Sequence, residues 1–93
     1  MVIGVLRVRL GIFGALSLKD KRRVTKSIKD RLANRHNVSV AEIGDLEHRQ
    51  AATLGIAMIA NESRFVESTL AKIADELGRD ARASLLEHSI ETW

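Results

Sequence analysis

Apolar residues alternate with a period of two over 2–13, 38–43, 51–60 and 82–93. Between these stretches, over 18–35 and 63–77, they recur with a helical period. The resulting β-α-β-β-α-β succession predicts an α+β, ferredoxin-like fold, with a four-stranded antiparallel sheet and two helices on one face. Turn or capping residues stand at each junction, so local chemistry and global pattern agree. Residues 1–93 form one domain, too short for a second core.

In the first strand, Val2, Gly4, Leu6, Val8, Leu10 and Ile12 fall on one face, expected to meet the core. Ile3, Val5, Arg7, Arg9, Gly11 and Phe13 fall on the other. Gly14 breaks the strand, and Ser17 is placed as an N-cap with Asp20 three residues on. Val24, Ile28 and Leu32 then give the first helix its apolar stripe. Arg31 and Arg35 lie near that stripe's edge, where long stems snorkel, and His36 is expected to cap the last carbonyls. The second strand, Val38–Ile43, loses its alternation at Ala41-Glu42, which suggests a bulge. Residues 44–50 read as a loop. The third strand presents Leu54, Ile56 and Met58 on one face and Thr53, Gly55, Ala57 and Ile59 on the other. Ser63 is expected to cap the second helix, whose stripe is Phe65, Val66, Leu70, Ile73, Ala74 and Leu77, with Gly78 at C′. A last strand over 82–93 carries Leu86, His88 and Ile90 on one face, with His88 half-buried. Val24, Ile28, Leu32, Leu54, Ile56, Phe65, Leu70 and Ile73 are expected in a single core.

Composition narrows the function. With no cysteine, disulfides and thiolate metal sites are excluded. Arg7 and Arg9 interrupt the apolar N-terminal run where a secretory segment must be continuous, so the expected location is the cytoplasm. Net charge is +3, but it is unevenly spread. Residues 19–35 hold eight basic and two acidic side chains, whereas 36–93 hold five basic and ten acidic. Charge concentrated on one element raises the local potential and steers polyanions toward it. At 100° per residue, Lys19, Arg22, Lys26 and Lys29 lie within about 80° of each other, opposite the apolar stripe, with Arg23 at the flank. Lys19, Arg22, Arg23, Lys26 and Lys29 are therefore the candidate RNA contacts, acting on phosphates rather than bases. The bland alternative is a solvated face that keeps a small protein soluble.

An RNA-recognition motif would need aromatics on the open faces of its first and third strands, and these carry Arg7, Arg9, Thr53, Gly55, Ala57 and Ile59 instead. The open face as read, with Ile3, Val5, Gly55, Ala57, Ile59 and Leu85 among Arg7, Arg9 and Glu87, suits a homodimer or a small-ligand regulatory module. Acylphosphatases share this element order, but the loop Gly11–Ser17 has no arginine to hold a phosphate. A phosphate near Lys19 and Lys21 at the helix start is the residue of that idea. Asp45, Glu47 and His48 lack a further histidine or cysteine to complete a metal site, and no Ser-His-Asp spacing occurs. No catalytic residue, metal or cofactor is assigned, and the expectation is a non-enzyme.

The run Ser17-Leu18-Lys19-Asp20-Lys21-Arg22-Arg23, followed by Lys26-Ser27, Asp30-Arg31-Leu32 and Asn37-Val38-Ser39-Val40-Ala41-Glu42, resembles the bacterial YlxP-like family. The likeness continues through Arg49–Gly55 and the Asn61 turn, and covers essentially the whole chain. It implies a small ferredoxin-like domain of unassigned function, whose genes often lie beside those for translation initiation and ribosome maturation factors. RNA or the ribosome is the partner this implies. The family's D-L-W-Q-R loop reads Asp45-Leu46-Glu47-His48-Arg49 here, an aromatic exchanged for an acid.

Overall fold

The structure, a computed structural model, describes all 93 residues. Its elements are β1 (Val2–Gly11), α1 (Leu18–Arg35), β2 (Ser39–Gly44), β3 (Ala51–Ala60), α2 (Ser63–Gly78) and β4 (Ser84–Thr92). The strands form one antiparallel sheet in the order β2-β3-β1-β4, with both helices on one face. This is the ferredoxin-like architecture expected from the sequence.

β1 pairs with β3 without interruption from Val2 opposite Ala60 to Gly11 opposite Ala51. Leu6, Val8 and Leu10 therefore share a face with Ile56, Leu54 and Ala52, and all six are fully buried. α2 lays Val66, Leu70, Ile73, Ala74 and Leu77 over β1 and β4. It can do so because β1 has glycine at position 4, where a Cβ would overlap Val66 and stand 2.9 Å from Leu70. α1 rests over β2 and β3 through Ile28 and Leu32, with Val24 half-buried beside them.

The structure differs from the sequence pattern at the second helix and the last strand. Phe65 is 58% exposed, because the buried stripe of α2 begins at Val66 and the neighbouring position lies 100° round the helix. In β4, the register slips between Arg9 and Leu10, so that Leu86 is the extra residue and Leu85 turns inward to the core. Leu85 is thus absent from the open face, Leu86 is exposed, and His88, opposite Val8 on this outer strand, is exposed rather than half-buried. At α2 the N-cap is Glu62, without a side-chain bond, and Ser63 is already helical. The helix closes through Arg79 and Asp80 N–H groups donating to the Glu76 and Leu77 carbonyls, so Gly78 stays right-handed and no left-handed cap is made.

The bulge in β2 falls at Ile43, one residue beyond the break in alternation, since Glu42 pairs with Leu54 and Gly44 with Thr53. Ile43 folds over Gly55, where a Cβ would meet it at 3.3 Å.

Candidate nucleic-acid interface on the first helix

α1 is started by the Ser17 hydroxyl, which accepts from the Asp20 N–H at 3.1 Å. The Asp20 carboxylate reaches back to the Leu16 N–H at 3.1 Å, turning its charge toward the helix start and its positive dipole end. The buried positions of the helix are Lys21, Thr25, Ile28 and Leu32, which span about 60° of arc. Lys19, Arg22, Arg23, Lys26 and Lys29 occupy the opposite 120° or so, spread over about 15 Å of axis. Four of these five are exposed, and Lys29 is half-buried. Geometry thus gathers the five candidate residues onto one surface.

Their partners sort the eight cations of the segment into two groups. Lys21 and Arg31 are drawn into the fold by acids from other elements, Glu42 at 2.9 Å and Asp80 at 3.1 Å, while Arg35 stays exposed and reaches Glu76 at 3.9 Å. Lys26 pairs only with Asp30, one turn along, at 2.8 Å, and this neighbour holds its ammonium above the usual lysine range. Both members of that pair are in water, where such a contact is weak and easily exchanged. Lys19, Arg22, Arg23 and Lys29 have no acidic partner within 4.0 Å.

Lys21 is the feature the sequence reading missed. Its side chain is 0% exposed, and its ammonium donates to the carbonyls of Asp45 (2.8 Å) and Ala51 (3.1 Å), with Leu46 at 3.5 Å. Glu42 Oε1 stands at 2.9 Å, close enough to neutralise it but outside hydrogen-bonding direction. No phosphate can reach this nitrogen, so the idea of an anion held by Lys19 and Lys21 together is withdrawn. Glu42 occupies an inward position of β2, which is why the alternation failed there. A lysine on the apolar stripe and a glutamate on the inner face of a strand were the two halves of one signal.

The residue that receives Lys21 also organises the other face of the sheet. Asp45 sits at φ 57°, a left-handed conformation that aspartate tolerates better than most residues. Its carboxylate accepts from Arg9 Nε at 3.1 Å and from the Thr53 hydroxyl at 2.6 Å. Those bonds, Arg9 first, hold the Asp45 carboxyl below the usual carboxylate range. The loop is pinned at its far end as well, where the Gln50 amide donates to the Phe13 and Ala15 carbonyls at 3.2 Å. Between these anchors Leu46, Glu47, His48 and Arg49 are exposed, which puts the Glu47-His48 departure from the family pattern at the loop tip.

The remaining ionic ties brace α1 against α2 and the turn that follows it. His36 does not cap α1 with its ring: the His36 N–H donates to the Leu32 carbonyl while Nε2 meets Glu76 Oε1 at 3.0 Å. Asp80, nearly buried, lies between the Arg31 and Arg82 guanidiniums, and Arg82 also donates to the Ser27 hydroxyl at 3.0 Å. The open face, by contrast, carries no aromatic on its two central strands; the Phe13 ring lies over Gly11 at one end. It offers no platform on which bases could stack.

Fold and site together define a small ferredoxin-like domain with a cationic first helix on its outer surface. No helix in it is long and apolar enough to cross a membrane. Residues 3–90 match the family model described as "Protein of unknown function (DUF503)". The chain is also 36% identical over 72 residues to the "Uncharacterized protein YlxP" of Bacillus subtilis (strain 168), a match that covers 77% of this chain and 78% of that one. The chain belongs to this YlxP-like family of unknown function.

Proposed function

We propose that this protein is a non-enzymatic, cytoplasmic accessory factor that contacts structured RNA or the ribosome through the outer face of α1. The observation that carries the reading is the sorting of cations on that helix. Lys21, Arg31 and Arg35 have acids from other elements, whereas the exposed Lys19, Arg22 and Arg23 and the half-buried Lys29 have no acidic partner. Lys26 joins them at the cost of a weak exposed pair. A rigid helix holding these charges suits a phosphate backbone, whose neutralisation releases counterions. Contacts from these charges to phosphates position the protein without reading base sequence.

RNA binding measured across a salt series tests this. About four phosphate contacts on a single strand give a log–log slope near −3. The double substitution Arg22→Glu and Lys26→Glu should weaken binding to every sequence alike and lower the slope, with the unfolding midpoint unchanged. Equal affinity of wild type and double variant would end the proposal.

A further inference from the structure

We propose that the helix-free face of the sheet is the interface between two copies of this chain, closed by reciprocal ion pairs between Arg7 and Glu87. The inference is independent of the RNA reading, since α1 and this face lie on opposite sides of the sheet.

The apolar part of the face is formed by Ile3, Val5, Ala57 and Ile59 at one end of β1 and β3, with Ile43 lying over Gly55. Ile59 is 54% exposed and Ile43 52%, on a surface that no element of the chain covers. The charged part follows from the strand register. β1 contributes Arg7 and Arg9, and β4 contributes Glu91, opposite Val5, and Glu87, opposite Arg9. Arg9 is already held by Asp45. Arg7, Glu87 and Glu91 make no ion pair within the chain. Glu87 faces Arg9 across the strands and feels its charge without pairing with it, so a row with an unpaired cation runs beside a row of incompletely matched anions, and such a pattern complements itself under a two-fold rotation.

Shape agrees with charge. Arg7 shares its cross-sheet row with Ala41, Gly55 and Ser89, all small. Arg7, Thr53 and Glu87, with the paired Arg9 and Asp45, line a polar cavity of about 360 Å³, room for a long side chain of an opposing face. Size is adequate too. Three strands about 30 Å long and the six-residue β2, about 20 Å, set about 4.8 Å apart, present on the order of 500 Å² per copy, a total of about 1,000 Å² that stands just above chance contacts. Edge-to-edge pairing is the less suitable geometry, because β2 is short and both outer strands are interrupted by bulges at Ile43 and Leu86. Two sheets packed face to face by a two-fold axis set Arg7 of each copy against Glu87 of the partner subunit.

Sedimentation equilibrium on the full chain should give twice its 10.3 kDa mass at about 100 µM, as befits an interface of modest area. Arg7→Glu and Glu87→Arg should each weaken the dimer tenfold or more, and the two together should restore it, with circular dichroism confirming that every variant is folded. Ala57→Glu, which places an unmatched charge in the apolar part, should abolish it. A protein that stays monomeric at that concentration overturns the proposal, whether the face binds another protein, a small ion or nothing. So does a dimer indifferent to these substitutions, or one that the double reversal fails to restore. None of these variants touches α1, so loss of the dimer with RNA binding intact separates this failure from that of the RNA reading.

Discussion

The two helices share one layer and one sheet, yet they are attached by different means. α2 buries five side chains, all apolar, and is drawn close to β1 by the absence of a Cβ at Gly4. α1 buries four, of which Lys21 and Thr25 are polar, and is secured by a cap at its start, an ammonium at its first turn and ion pairs at its end. The fixings of α1 are directional, placed along its inner side and at its ends. Its outer face is thereby free of any structural duty and can be rich in charge without cost to the core. α2 supplies the hydrophobic mass, and α1 supplies a rigid, oriented surface.

This contrast can be broken most severely at Lys21. Lys21→Ala leaves Glu42 without its counter-charge and the Ala51 carbonyl without its ammonium donor, and should cost about 3–5 kcal/mol, the range for breaking a buried ion pair. Leu70→Ala in α2 should cost about 2–5 kcal/mol through lost burial and a cavity. The mechanisms separate in a rescue: Lys21→Met with Glu42→Leu should recover only part of the loss in urea denaturation, because the Ala51 carbonyl loses its ammonium donor, while the Asp45 carbonyl keeps the His48 N–H. Full recovery would reduce Lys21 to an ordinary ion-pair member.

A middle-sized effect lies at Asp80, which joins the turn after α2 to α1. The Arg82 guanidinium bonded to it, and Arg31 beyond that, pull its carboxyl from the ordinary 3.8 down to about 2. A carboxyl depressed in the folded state stabilises the fold above the unfolded value and loses that contribution as pH falls through the folded one. Unfolding free energy should therefore drop by on the order of 1–2 kcal/mol between pH 4 and pH 2 from this group. In Asp80→Asn that acid-limb contribution should vanish, which a pH series of denaturation curves would reveal.

The smallest test compares the helix starts. Ser17→Ala removes the one side-chain cap at α1 and should cost about 1 kcal/mol. Glu62→Ala removes a residue whose side chain caps nothing, so its thermal midpoint should stay close to that of the wild type.

Most of the fold was legible because each element repeats its signal many times. Val24, Ile28 and Leu32 define one stripe, Leu54, Ile56 and Met58 another, and a single wrong residue could not alter either. The errors arose where one residue decides. Phe65 lies a single position off the stripe of α2, and only the packing of Val66 under it fixes which neighbour is covered. Leu85 and Leu86 are chemically identical, so a bulge that exchanges their faces leaves no mark in the sequence. Lys21 read as part of a cationic surface because its partners are mostly backbone carbonyls, which carry no residue identity. Its spacing from Thr25, Ile28 and Leu32 and the out-of-phase Glu42 were the available clues. The surface cations Lys19, Arg22, Arg23, Lys26 and Lys29 were placed correctly on one face, since helical geometry alone determines that.

The strand order has a consequence for how the molecule comes into being. β1, first along the chain, lies between β3 and β4, and its Ile3 exchanges both backbone hydrogen bonds with Trp93. No hairpin joins β1 to either neighbour, so every bond it makes waits for a segment at least forty residues further on. Closing such loops is entropically expensive before the contacts form, which places this domain behind helical bundles of its size in folding rate. During synthesis β1 keeps one side open until the last strand has left the ribosome. Until then it presents an unpaired apolar edge, the form of a nascent chain most exposed to wrong partners and most in need of a chaperone.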